Sequence, residues 1–80
     1  MFRHYIDTRI WFKKWFKGLT PEEKLAYLYI NDHCDSDGIW EPDFALAEFK
    51  IGAKINWDEF VKKCNGHIIA MPNGTLKMKN

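Results

Sequence analysis

Thirteen residues, Asp32 to Phe44 (DHCDSDGIWEPDF), bring together one histidine, one cysteine and five carboxylates. Set against the calcium loop D-x-[DN]-x-[DN]-G-x5-E, Gly38 falls at the sharp-turn position, and Asp35 and Asp37 fall at the third and fifth. The first position holds His33, a poor ligand for a hard cation, and the last holds Phe44 where a bidentate glutamate is required. Calcium is set aside, and the loop reads as turn chemistry, with acids competing for backbone donors and Gly38 accepting a positive φ. The acids at 32, 35, 37, 41 and 43 have no lysine or arginine among them and no apolar pocket to raise a pKa, so they read as a solvated rim.

Zinc is the next candidate, because His33, Cys34, Cys64 and His67 offer two thiolates and two imidazoles. Structural zinc ligands come in C-x(2–4)-C or H-x(3–5)-H knuckles, and adjacent His33 and Cys34 cannot easily both turn toward one ion. The simpler assignment makes Cys64 a small core residue and places His33 and Cys34 at a helix end, where the macrodipole favours the histidine. No nucleophile elbow, phosphate-binding glycine loop or metal-histidine helix is present. Eighty residues also leave little room for a pocket of about 300 Å³ or more. The expectation is a non-enzyme with no metal, no cofactor and no small-molecule substrate.

Positioning these residues falls to one small domain, able to bury about 60% of its unfolded surface. With 46% hydrophobic residues, 16% aromatics and four tryptophans, the chain has the apolar mass for one core, so disorder is not expected. Two cysteines thirty positions apart make no disulfide framework, and MFRHYIDTR carries charge where a signal peptide is apolar. A reducing, cytoplasmic setting follows as an expectation. No run approaches the roughly 18 apolar residues of a membrane span. The net charge of +1 hides three blocks: +3 over residues 1–24, −6 over 25–49, which contain no lysine or arginine, and +4 over 50–80. Such blocks fit surfaces with different partners, or complementary faces of self-assembly.

In GLTPEEKLAYLYIND, Thr20 is an N-cap, Pro21 suits the first helical position and Glu23 completes a capping box. Leu25, Ala26, Leu28, Tyr29 and Ile30 make this central helix apolar over most of its circumference, so neighbours are expected on more than one side. IWE follows the turn as a short strand. PDFALAEFKIG is a second helix opened by Pro42 and closed near Gly52. In KINWDEFVKKCNG, Asn56 caps a third helix, with Ile55 and Phe60 placed as a hydrophobic staple. Trp57, Phe60, Val61 and Cys64 form its buried stripe, with Asp58, Glu59, Lys62 and Lys63 facing out and Gly66 closing it. HIIAM and TLKMK then flank PNG as a hairpin, Leu76 and Met78 alternating with Thr75, Lys77 and Lys79. The fold class expected is α+β, a winged helix-turn-helix over residues 19–80, with residues 1–18 packing on it as an aromatic, basic lead-in.

The stretch DTRIWFKKWFKGLTPEEKLAYLYINDHCDSDGIWEPDFALAEFKIG, followed by the NG hairpin, resembles the N-terminal winged-helix domain of phage replication initiators, the replisome organisers related to DnaD-type proteins. The likeness covers nearly the whole chain, through the aromatic lead-in, the TPEEK helix start, the YL core and GIWE after a polar turn. It implies origin or single-strand DNA binding, or self-assembly at a replication start, in a first domain followed by further segments.

Two sets of residues could carry that function. Lys50, Lys54, Lys62, Lys63, Lys77 and Lys79, with Asn73 and Gly74 at the wing tip, could ring a duplex. Against this, Asp58 with Lys62 and Glu59 with Lys63 are spaced as i, i+4 pairs of a solvated helix face, and both acids repel phosphate. The second set is IWFKKWFK. A continuous helix there would put Trp11, Phe12, Trp15 and Phe16 on one side, flanked by Lys13, Lys14 and Lys17. Those aromatics would fold onto the core or dock a partner chain; the segment is short for a membrane-surface helix. DNA binding and a role in oligomerisation or helicase-loader docking both stay open.

Overall fold

The structure is a computed structural model that describes residues 4–79. The Met1, Phe2 and Arg3 end of the expected lead-in and Asn80 lie outside the described residues. A 3-10 helix, Thr8–Phe12, precedes α1 (Lys14–Lys17), α2 (Pro21–His33), β1 (Ile39–Trp40), α3 (Phe44–Ile51), α4 (Trp57–Lys63), β2 (Ile68–Ala70) and β3 (Leu76–Met78). The chain is an α+β domain whose helices pack with a small antiparallel sheet of order β1-β3-β2.

The start of α2 is fixed by a reciprocal pair of hydrogen bonds. Glu23 N donates to Thr20 Oγ1 at 3.2 Å, and Thr20 N donates to Glu23 Oε1 at 2.8 Å. This helix buries Ala26, Tyr27 and Ile30, together with the polar Glu23 and Asn31. It is not enclosed all round: Leu25 is exposed, and Leu28 and Tyr29 are half-buried. A chain this short has too few elements to cover every side of its longest helix. At its end Asp35 Oδ1 accepts from Asp37 N at 2.8 Å and Ile39 N at 3.0 Å, and Gly38 turns at φ 79°. The acid-rich loop is a turn, as its residue types predict.

α3 begins two residues later than Pro42 implies. Asp43 is the cap, accepting from Leu46 N at 3.1 Å, so the helix starts at Phe44 and Pro42 lies outside it. A carboxylate that satisfies an orphan N–H outweighs proline's preset φ as a start signal. Gly52 ends the helix in the left-handed region at φ 88°. Glu48 then ties the α3–α4 corner: its Oε2 accepts from Ile55 N at 3.0 Å and Trp57 Nε1 at 3.1 Å. In α4, Asn56 caps by accepting from Glu59 N at 3.2 Å; Phe60 and Cys64 are fully buried, and Trp57 and Val61 half-buried.

The hairpin alternates as expected. Leu76 lies between Trp40 and Ala70, and Met78 opposite Ile68, with both Leu76 and Met78 buried. Lys77 lies between Ile39 and Ile69 and is exposed on the other face.

The lead-in departs from its expected form. Lys13 is extended, at φ −73° and ψ 133°, and splits the segment into the 3-10 helix and the single turn of α1. Without a continuous helix the four aromatics do not share a side. Phe16 is fully buried and Trp15 half-buried, whereas Trp11 and Phe12 are 51% and 77% exposed. Ile10, Phe16 and Leu19 join the core built by α2, α4 and the sheet. Among the described residues no helix is long and apolar enough to cross a membrane.

Candidate functional site

The break at Lys13 creates two clefts that share Lys13 and Trp15. One, of about 310 Å³, lies between the lead-in, α2 and the chain ends flanking the hairpin, and is walled mainly by Tyr5, Ile10, Trp15, Tyr27, Asn31 and His67. Its volume corrects the expectation that so small a domain has little room for a pocket of that size. Folding a lead-in back over a three-helix core leaves a seam that neither surface fills. Trp15 stacks on His67, centroids 4.3 Å apart and planes at 15°, and meets Tyr27 and Phe16 edge-on. Burial holds the Tyr27 phenol up at about 12. Burial also lowers the pKa of His67, and the nearby Lys13 and Lys79 charges lower it further. The imidazole therefore favours its neutral form between two cations.

Two N–H groups at this cleft are buried without a hydrogen-bond partner among the described residues: Trp15 Nε1 and Asn31 Nδ2. Asn31 is only 3% exposed. A buried unsatisfied donor costs about 1–3 kcal/mol, so two at one cleft call for a reason. Asp7, also on this cleft, has its charge answered locally. Arg9 Nη2 lies 2.7 Å from Asp7 Oδ2, and this pairing holds the exposed carboxyl at about 2.

The second cleft, about 440 Å³ and shallower, is lined by Lys13, Lys14, Trp15, Lys62, Lys63 and Asn65, with no acid lining it among the described residues. Asn65, at φ 52°, takes the left-handed turn that leads out of α4, a conformation asparagine tolerates. Of the four lysines, Lys63 is already engaged. Its Nζ lies 3.1 Å from the buried Glu23 Oε1 and 3.8 Å from Glu59 Oε1. Among the described residues Lys13, Lys14, Lys62 and Lys79 form no ion pair, and the anticipated Asp58–Lys62 pair is not made.

The structure thus redistributes the residues expected to meet DNA. Lys62 and Lys63 join Lys13 and Lys14 at the shallow cleft, and Lys79 joins Lys13 at the deeper one. Lys50, Lys54, Lys77 and Asn73 line neither. Lys50 is in the last turn of α3, Lys54 in the turn after it, Lys77 on the outer sheet face, and Asn73 Oδ1 accepts from Thr75 N and Thr75 Oγ1 at the hairpin tip. Of the aromatic quartet, Phe16 is core, Trp15 belongs to the clefts, and Trp11 and Phe12 stay exposed. A different apolar surface is present on α3, where Phe44, Leu46 and Phe49 are 40%, 44% and 82% exposed.

The four candidate zinc ligands have separate roles. His33 Nδ1 donates to Tyr29 O at 2.8 Å, Cys34 Sγ lies 3.5 Å from Asn31 O, Cys64 is fully buried, and His67 stacks on Trp15. Among the described residues no group of three or more His, Cys, Asp or Glu could hold a metal ion. Cys34 is the C-cap of α2, at the helix end as expected, and is buried there at 5% exposed. Sequence reasoning passed over Asn31, His67 as a stacking partner, Glu48 and the Glu23–Lys63 bridge. Only the adjacent Lys13 and Lys14 between two aromatic pairs signalled this surface.

In comparisons with known proteins, no family model, no curated protein and no solved structure matches the chain.

Proposed function

We propose that this chain is a DNA-binding domain of winged-helix type, acting in a phage-type replication initiator. The carrying observation is the basic strip in which the unpaired Lys13, Lys14 and Lys62 surround Trp15 and Asn65, with Lys79 continuing it past His67. Clustered ammonium groups beside an aromatic ring suit a phosphate backbone with bases close by. The element order α2, β1, α3, α4, β2, β3 supports the winged-helix reading. In this arrangement the exposed Asp58 and Glu59 in the first turn of α4 oppose phosphate, and affinity comes from the strip. The α3 surface of Phe44, Leu46 and Phe49 favours a second reading, an oligomerisation or loader-docking module with no DNA contact of its own.

Anisotropy titrations of labelled DNA at low salt, run beside mass measurements, separate the two. Lys13→Ala, Lys14→Ala and Lys62→Ala should weaken binding across sequences, while Asp58→Ala tightens it. If all four are silent while the chain stays folded, and Phe49→Ser lowers the apparent mass, the docking reading replaces the first.

A further inference from the structure

The outer face of α3 is apolar in its middle and charged at its ends. At about 100° per residue, Ala45, Leu46 and Phe49 fall on one side of the helix. All three are exposed, Phe49 at 82%. Phe44 is set apart from them, its ring packed against Trp40 and Trp57. Contiguous exposed apolar side chains on a small domain mark an interaction surface. Asp43 and Lys50, seven positions and so two turns apart, stand on one edge of this stripe, the acid at the helix start and the lysine in its last turn. Glu41 precedes the acid, Lys54 follows the lysine, and all four side chains are exposed. Among the described residues none of the four forms an ion pair.

A stripe that is acidic at one end and basic at the other complements a copy of itself turned end for end. We propose that two copies of this chain pair through α3 about a two-fold axis, with the helices antiparallel and Leu46 and Phe49 of each packed on the stripe of the other. In such a pair each edge meets the same edge of its twin, so Asp43 faces the partner's Lys50 and Lys50 faces the partner's Asp43. The axis then passes between positions 46 and 47, and Leu46 lies beside its own copy. Each helix N-terminus also comes to the other's C-terminus, which the dipoles favour. A partner with charge of one sign would leave one end of the stripe unanswered; a second copy answers both. An eight-residue helix spans only about 12 Å, so the pair buries less than the roughly 1,200 Å² of a stable interface and forms a weak, concentration-dependent dimer. No residue of α3 lines either cleft, so the pairing uses none of the basic strip. The inference gives the α3 surface a specific occupant and holds whether or not the strip meets DNA.

Sedimentation of the full chain at rising concentration, without DNA, reads the association, and mass should rise from one chain toward two. Phe49→Ser should weaken it about tenfold or more, through loss of a central aromatic on both sides. Lys50→Glu sets acids against acids at both ends and should weaken it about fivefold, a loss that shrinks as salt is added. Leu25→Ser, which removes an exposed apolar side chain from α2, should change nothing. Leu46→Cys should form a disulfide-linked dimer under mild oxidation, because the two copies of that position adjoin. Cys34 and Cys64 are buried and take no part. The substituted side chains are exposed, so the variants should keep the fold, which circular dichroism checks. A single chain at every concentration overturns the pairing and leaves the α3 face to a different protein. Association that survives Phe49→Ser places the contact elsewhere and overturns it too. If Phe49→Ser abolishes association but Leu46→Cys gives no linked dimer, the two-fold arrangement is overturned in favour of a head-to-tail contact. With no DNA present, failure here leaves the basic strip standing, and silence of the lysine variants in the DNA titrations leaves this pairing standing.

Discussion

Lys62 and Lys63 are adjacent and chemically identical, yet the fold gives them different tasks, and alanine at each should separate binding from stability. Lys62 is exposed and unpaired on the basic cleft. If Lys13, Lys14, Lys62 and Lys79 each meet one phosphate of a single strand, at ~0.7 per contact, log K falls against log salt with a slope of about −3. Affinity then drops about fifty-fold between roughly 50 and 200 mM salt. Lys62→Ala should reduce the slope to about −2 and that loss to about twenty-fold. Unfolding free energy should change by less than about 0.5 kcal/mol, as for other surface substitutions.

Lys63 is two-thirds buried against a carboxylate with few other partners. Glu23, 6% exposed, accepts from Thr20 N and from Lys63 Nζ, so Lys63→Ala leaves a buried charge with the capping bond alone. Breaking a fully buried pair costs about 3–5 kcal/mol; with Lys63 still a third exposed, water replaces part of it, leaving about 1–2 kcal/mol. In so small a domain this lowers Tm by about 5–15 °C. The assays are anisotropy titrations at several salt concentrations and urea or thermal melts of both variants. A slope that flattens in Lys63→Ala but not in Lys62→Ala would refute the division of labour, as would a large loss of stability in Lys62→Ala.

Four further outcomes are expected. Phe16→Ala should cost about 3–5 kcal/mol by cavity formation, read from urea melts, because this lead-in ring is fully buried. Glu48→Ala should cost about 2–3 kcal/mol through two lost bonds to a carboxylate, with hydrogen exchange rising at Ile55. Cys64→Ser should cost about 1–3 kcal/mol, and Cys34→Ser less, since a hydroxyl there can donate to Asn31 O; EDTA should leave Tm unchanged. His67 has a depressed folded pKa, so its contribution to stability is full above its unfolded value near 6.5 and is lost as pH falls through the folded one. The urea midpoint should fall between about pH 7 and 5, less so in His67→Asn, and bound DNA should raise the His67 pKa by neutralising Lys13 and Lys79.

What was legible in the sequence follows local rules. Thr20 with Glu23, Asn56 with Glu59, Gly38 after its acids and the Leu76–Met78 alternation each depend on residues a few positions apart, and each takes its expected form. Pro42 and Asp43 are competing start signals side by side, and only the capping bond decides between them. The rest depends on distance along the chain. Lys63 is forty positions from Glu23, and nothing in VKKC distinguishes it from Lys62. The lead-in followed an i, i+4 argument that assumed one helix, and a single extended residue at Lys13 undid it. The cleft is likewise a product of docking, since its walls come from residues 5 to 79 and no local pattern encodes them.

The charges of α4 alone would not mark a binding surface. Acids in its first turn and lysines in its last complement the helix dipole, which is sufficient reason for Asp58, Glu59, Lys62 and Lys63. The same rule does not explain why Lys13 and Lys14, on a separate element, are brought to the end where those lysines stand. Gathering like charges from two elements opposes folding, and a surface shaped only by stability would place an acid among them. Glu23 neutralises Lys63 from inside the fold, and the outer ammonium groups are left unmatched. On the DNA-binding reading proposed above, that imbalance beside an aromatic ring is answered by an anion that carries aromatic groups of its own.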